Sequence, residues 1–192
     1  MRYEIGMSGT GGQGTILLGA ILAESLSEKE GIFVAQTKAY DPAVRGSKAE
    51  SFLVISDEEI DWHGPFQLDI LLALSQDAYE NNIKRLKPEG ILIIDPQYVG
   101  KAAGAKVLSF PFTQVARSKF NDERVVNMIC AGFILEYCSY FSVEAVKSAI
   151  SLNFKGKVLE TNLAAFKEGI ECAKQGLKEG FANIESSEDT QI

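Results

Sequence analysis

Apolar positions change period about two thirds of the way along the chain. Up to residue 110 they come in short runs of strand length: Tyr3-Glu4-Ile5-Gly6-Met7, Ile32-Phe33-Val34-Ala35, Glu50 to Ser56, Asp69 to Leu74, Gly90 to Asp95 and Lys106 to Phe110. The fourth and fifth runs are almost wholly apolar, as strands covered on both faces must be. Thr15 to Ser27 instead carries Ile16, Leu17, Ala20, Ile21 and Ala23 at helical spacing, and Ser75 reads as the N-cap of a helix reaching about Lys87, stopped by Pro88-Glu89-Gly90. No helix fits between the second and third strands, which predicts an antiparallel pair there. From Asn121 onward the period is helical. Asn121-Asp122-Glu123 opens a helix to about Tyr140 that is apolar around most of its circumference and therefore buried. Ser142 caps a short helix through Leu152. A last helix, about Leu159 to Lys178, sets Leu159, Leu163, Phe166 and Ile170 on one face, with Gly169 allowing a close neighbour. The pattern predicts an α/β fold: a Rossmann-like, mainly parallel sheet covered by helices, with a helical C-terminal part. Residues 1–184 form one domain in this reading, and the polar stretch 185–192 is a disordered tail.

Composition narrows the class. The chain has 192 residues, 46% of them hydrophobic, and a formal net charge of −7. Nucleic acid and anionic membrane are excluded as partners on that charge, since both are bound through basic surfaces. No apolar run approaches the roughly 18 residues of a membrane span, and Arg2 is followed by a mixed strand instead of a signal sequence, so a cytoplasmic location is expected. Cys130, Cys138 and Cys172 form no CxxC and read as reduced, buried small hydrophobes, too few to hold a four-cysteine cluster. His63, the only histidine, reads as a loop residue beside Trp62 and Gly64.

Candidate chemistry concentrates where the first strand gives way to the first helix. Ser8-Gly9-Thr10-Gly11-Gly12-Gln13-Gly14 places Gly9, Gly11 and Gly14 in a G-x-G-x-x-G pattern with a strand before and a helix after. Glycine permits positive φ and close backbone approach, and the amides at a helix N-terminus favour an anion. The other half of a dinucleotide fingerprint is missing, because the second strand ends in Gln36-Thr37-Lys38 with no carboxylate for a ribose. Two readings stay open: glycines that only make a tight turn and let the helix pack, or an anion site. Lys38, Arg45 and Lys48 read as a basic loop between the second and third strands, either solvated or beside the turn in the crevice where open α/β sheets bind ligands. Arg45 is the best gripping residue, since a guanidinium holds phosphate or carboxylate with two bonds. Asn127, a polar residue in a buried helix, is a hydrogen-bond hub or a site residue. Asp95 faces the functional edge or serves the turn before Pro96.

Those residues carry a resemblance. Gly9-Thr10-Gly11-Gly12-Gln13-Gly14, then Tyr40-Asp41-Pro42-Ala43-Val44-Arg45-Gly46-Ser47 and Ala49-Glu50, resemble the gamma subunit of 2-oxoacid:ferredoxin oxidoreductases. Asp69 with Ala73-Leu74-Ser75, Gly90 to Asp95, Asn127 and Asn162-Leu163-Ala164-Ala165-Phe166 follow in the same order, and the likeness runs over about residues 2 to 175. Ala39, Asp41 and Ser47 stand where the family usually has serine, glycine and glycine. The resemblance implies an enzyme that decarboxylates a 2-oxoacid, 2-oxoglutarate for instance, to an acyl-CoA. Thiamine diphosphate, Mg and iron-sulfur clusters would be held by partners like the alpha, beta and delta subunits, with ferredoxin as electron acceptor. This chain has no Gly-Asp-Gly segment for the diphosphate's metal, so it would be inactive alone, with no catalytic or metal-ligating residue of its own. Coenzyme A would be its ligand, at Gly9, Gly11, Gly12, Gln13, Gly14, Arg45 and Gly46. The small subunit of indolepyruvate oxidoreductase and a stand-alone dinucleotide-binding module are the alternatives.

Overall fold

The computed structural model describes residues 1–40, 48–62, 64–103 and 106–179. Six strands form one sheet: β1 (Arg2–Thr10), β2 (Phe33–Tyr40), β3 (Lys48–Ser56), β4 (Leu68–Ala73), β5 (Leu86–Ile94) and β6 (Lys106–Ser109). Their order is β2-β3-β1-β4-β5-β6. β3 pairs antiparallel with both β2 and β1, and every other pairing is parallel, so five of the six strands share one direction. The helices are α1 (Thr15–Glu24), α2 (Gln76–Asn82), α3 (Phe112–Val115), α4 (Val126–Leu135), α5 (Val143–Asn153) and α6 (Gly156–Glu179).

Side-chain alternation along the strands sorts the core into two layers. Ile5, Met7, Leu53, Ile55, Ile70, Leu72 and Ile93 pack with α1, α4, α5 and α6. Their neighbours Phe52, Leu71, Ala73, Leu92 and Ile94 face the other way, onto Ala78 of α2 and Val99. Both faces of β4 and β5 are therefore buried, which is why those runs are apolar throughout. α4 and α6 pack closely enough for their backbones to touch at two glycines, with Ile129, Phe133, Phe166 and Ile170 buried around the contact. A Cβ on Gly132 would lie 2.0 Å from the Phe166 carbonyl oxygen, and one on Gly169 2.0 Å from that of Ile129. Close approach at Gly169 was legible from the sequence, whereas its complement Gly132 was not. No helix among the described residues is long and apolar enough to cross a membrane.

Several boundaries differ from the sequence reading. The helix expected to reach Lys87 ends at Asn82 and passes through a 3-10 turn, Ile83–Arg85, straight into β5. Pro88 sits inside that strand because the register jumps between Leu68↔Leu86 and Ile70↔Ile91, leaving extra residues that need no ladder bond. Lys38 and Lys48, read as loop cations, belong to β2 and β3, whose ladder continues to Tyr40↔Ala49. The helix expected from Asn121 begins as a 3-10 turn at Glu123–Val125, with Asp122 as its cap, and becomes α-helical only at Val126. Asn121 is left-handed, at φ 51°, and ends a π-helical turn (Ala116–Phe120) that follows α3, a segment the sequence reading left unassigned. Ser75 and Ser142 do cap their helices, accepting from the amides of Ala78 and Ala145. Cys130 and Cys138 are buried, but Cys172 is half-exposed and donates to Glu168 Oε1 at 3.1 Å. Burial pushes the Cys138 thiol up to about 11 and Cys172 to about 12, the latter helped by Glu168, so neither is a thiolate at neutral pH. Arg45, Gly46, His63 and the tail 185–192 lie outside the described residues.

Candidate functional site

β1 and β4 are adjacent and parallel, but the helix after β1 covers one face of the sheet and the helix after β4 the other. The two connections leave in opposite senses and open a crevice at the carboxyl ends of these strands, the position where open α/β sheets bind ligands. The glycine turn fills one side of it. Gln13 N–H closes the turn on Thr10 O at 3.2 Å, Gly12 has φ 103° and Gly14 has φ 74°. Gly14 is the N-cap of α1 and offers no side chain, and the first helical bond is Leu18 N–H to Gly14 O at 2.9 Å. The amides of Thr15, Ile16 and Leu17 therefore lack a partner within the helix. The Thr15 hydroxyl does not supply one, since it is turned inward to Ala49 O at 3.1 Å.

The predicted residues divide by role. Gly11 and Gly12 are exposed, and a Cβ on Gly12 would meet nothing within 4 Å, so space above the turn is open. Gly9 and Gln13 belong to the scaffold: Gln13 Oε1 accepts from Thr10 N–H at 2.7 Å and its Nε2 donates to Leu74 O at 2.9 Å, tying β1 to β4. That amide lies where a Gly9 side chain would go, 2.3 Å from the would-be Cβ. Gly14 is occupied from outside by Asn127 of α4, whose Nδ2 would be 2.4 Å from a Gly14 Cβ and makes a long 3.5 Å bond to Gly14 O. Asn127 is 3% exposed, and its Oδ1 has no hydrogen-bond partner among the described residues. Its position joins the buried helix to the glycine turn, the two features that the sequence singled out separately. Asp95 serves the turn: its carboxylate accepts from Gln97 N–H at 3.0 Å and Thr113 N–H at 2.8 Å.

A cavity of about 180 Å³ adjoins the turn, lined by Gly12, Gln13, Tyr98, Thr113, Glu123, Arg124 and Val126. It is smaller than the roughly 300 Å³ and upward of typical small-molecule pockets. Tyr98, Thr113 and Arg124 escaped the sequence reading because no spacing links them to the glycines. Arg124 is paired bidentately to Asp122, Nη2 to Oδ2 at 2.8 Å, and Glu123 to Arg117 at 2.5 Å. A larger groove of about 540 Å³ lies at the far end of α1, where Glu24, Lys29, Tyr140 and Leu152 are among its lining residues. Two of its charges are used internally: Lys29 donates to Tyr140 O at 2.8 Å, and Glu24 accepts from Asn153 Nδ2 at 2.6 Å.

Beside the turn, at the ends of β1 and β3, lies a buried polar cluster that the sequence did not announce. Glu50 is 4% exposed; its Oε1 accepts from Ser8 Oγ at 2.9 Å and Asn82 Nδ2 at 2.7 Å, and its Oε2 pairs with Lys48 at 2.9 Å. Burial alone would raise this carboxyl, but the bonds from Asn82, Lys48 and Ser8 outweigh it and hold the group below its ordinary value. Of the three basic residues, Lys48 is thus neutralised at the strand end, and Lys38 is exposed on β2.

Comparison with known proteins agrees with this architecture. The family model described as pyruvate ferredoxin/flavodoxin oxidoreductase matches residues 4–172. The chain is 35% identical to the 2-oxoglutarate synthase subunit KorC of Methanothermobacter marburgensis over 93% of its own length and 100% of that protein's. The keto/oxoacid ferredoxin oxidoreductase gamma subunit of Geobacter sulfurreducens superposes with a TM-score of 0.81 at 34% identity, over 91% of this chain and 98% of that one. The 2-oxoglutarate:ferredoxin oxidoreductase of Magnetococcus marinus, solved with 2-oxoglutarate, coenzyme A and succinyl-CoA bound, gives a TM-score of 0.80 at 26% identity, over 91% of this chain and 31% of that one. With residues 4–172 matched by the family model and nearly the full length aligned with a subunit of the same kind, the chain belongs to the pyruvate ferredoxin/flavodoxin oxidoreductase family, as a gamma-type subunit.

Proposed function

We propose that this chain is the gamma subunit of a 2-oxoglutarate:ferredoxin oxidoreductase, a multi-subunit enzyme converting a 2-oxoacid oxidatively to its acyl-CoA. The observation that carries this reading is 35% identity along the entire length of a 2-oxoglutarate synthase subunit. Alpha-, beta- and delta-type chains supply thiamine diphosphate with Mg and the iron-sulfur clusters, which provide decarboxylation and the passage of electrons to ferredoxin. The complex works in the cytoplasm.

Within it, the gamma chain holds coenzyme A by its diphosphate. The uncapped amides of α1, the open space above Gly12 and the small crevice beside it fit such a group, and negative charge there is favoured by the helix dipole. Gly9 and Gln13 keep the turn in shape; Gly11, Gly12 and Gly14 bring the backbone to the ligand; Arg45 and Gly46 contribute from the β2–β3 connection. The test uses the assembled complex, with the KM for coenzyme A measured in Gly12→Val and Arg45→Ala variants. A rise of tenfold or more with the KM for 2-oxoacid unchanged supports the assignment; unchanged coenzyme A affinity in both variants removes it. Turnover of 2-oxoglutarate against pyruvate and indolepyruvate by the same preparation tests the substrate.

A further inference from the structure

At the opposite end of the sheet from the glycine turn stands the largest exposed aromatic feature of the described residues. Trp62 is 59% exposed and Phe66 63%, their rings stacked at 6.4 Å with an interplanar angle of 30°. Such surface is costly in water, yet it is held rigidly. Arg2 Cζ lies 4.8 Å above the Phe66 ring, and Arg2 Nη2 donates to the carbonyls of Trp62 and Gly64 at 3.0 and 2.9 Å. Glu4, 2% exposed, anchors the whole: Oε1 accepts from Arg2 Nε at 2.6 Å, and Oε2 accepts from the amides of Phe66 and Gln67 at 2.6 and 3.1 Å. Both oxygens of a buried carboxylate are thus spent on presenting two exposed rings. Fixed aromatics with an arginine alongside are the composition of an interface hot spot, and fixing them beforehand lowers the entropy lost on docking.

The rim decides what docks there. Asp57, Glu58, Glu59 and Asp61, in the segment that leads into Trp62, are exposed; Asp57 is paired with the N-terminal amino group, and the other three make no ion pair among the described residues. A second copy, itself at −7, would bring like charges together across a two-fold contact. We infer that Trp62 and Phe66 anchor this chain to another subunit of its own oxidoreductase, one that presents an apolar pocket edged by Lys or Arg. The inference rests on the subunit reading above. The aromatics and the glycine turn lie at opposite ends of β1, which spans roughly 27 Å at about 3.4 Å per residue.

Trp62 is the chain's only tryptophan, which makes the test specific. The chain is produced with 5-fluorotryptophan, so that the label sits at residue 62 alone, and is followed by fluorine NMR before and after assembly with unlabelled partner subunits. In the free chain the resonance responds to exchange of H₂O for D₂O; in the assembled enzyme it shifts and loses that response. Trp62→Ala, Phe66→Ala and the triple reversal Glu58→Lys/Glu59→Lys/Asp61→Lys each weaken assembly at least tenfold while far-UV circular dichroism of the free chain is unchanged. An active complex whose label stays solvent-exposed overturns the inference, and so does protection that appears with concentration in the chain alone. Failure of the wild-type chain to form any active complex overturns the subunit reading itself, and the interface falls with it.

Discussion

Replacing Gly14 by alanine puts a methyl group where the buried Asn127 side chain already stands. Two costs add. Gly14 has φ 74°, and holding an L-residue in the left-handed region costs about 1–2 kcal/mol. The new Cβ would also lie 2.4 Å from Asn127 Nδ2 and 2.9 Å from its Cγ, and displacing a packed, buried side chain costs about 1–3 kcal/mol more. The single variant should therefore lose about 2–5 kcal/mol, or roughly 5–20 °C in Tm for a chain of this size. Asn127→Ala alone removes only a 3.5 Å bond and an amide oxygen that has no partner among the described residues, so it should cost less, about 1–2 kcal/mol, chiefly through the space it leaves. In the double variant the clash is gone and the backbone strain remains, so the two changes should couple favourably by about 1–3 kcal/mol. Urea denaturation of the four proteins, followed by circular dichroism, closes the cycle. If Gly14→Ala costs the same, within about 0.5 kcal/mol, with and without Asn127, the contact between the buried helix and the glycine turn is not what restricts this position.

Other expectations are of the same kind. Gly132→Ala drives a Cβ against the backbone carbonyl of Phe166, which no rotamer change can relieve, so a loss of about 3 kcal/mol or more is expected in urea denaturation; a change under about 1 kcal/mol would mean that α4 and α6 can separate freely. Glu50 has a folded-state pKa below its ordinary 4.5, so the stability it contributes is present above that value and is lost as pH falls through the lower, folded one. Glu50→Gln should lack this leg of the acid profile, giving a shallower decline of Tm below about pH 4.5 than wild type, and parallel profiles would refute the assignment.

Much of the fold is local and was legible. β1, the glycine turn and α1 follow from a strand period, three glycines and a helical period in succession, and Ser75 and Ser142 cap where an N-cap should stand, because each of these choices is settled within a few residues. The apolar runs of β4 and β5 announced burial on both faces, and the short link after β2 announced an antiparallel partner. Tertiary structure alone decided that β3 would insert between β2 and β1, which places the crevice between β1 and β4, and that β5 would begin before Pro88. It also brought Asn127 onto Gly14, and gathered Ser8 and Asn82 around the buried Glu50 carboxylate. Those residues lie 32 to 113 positions apart, and no periodicity reaches so far: capping and patterning act along the chain, whereas the satisfaction of a buried polar atom depends on whatever the folded topology sets beside it.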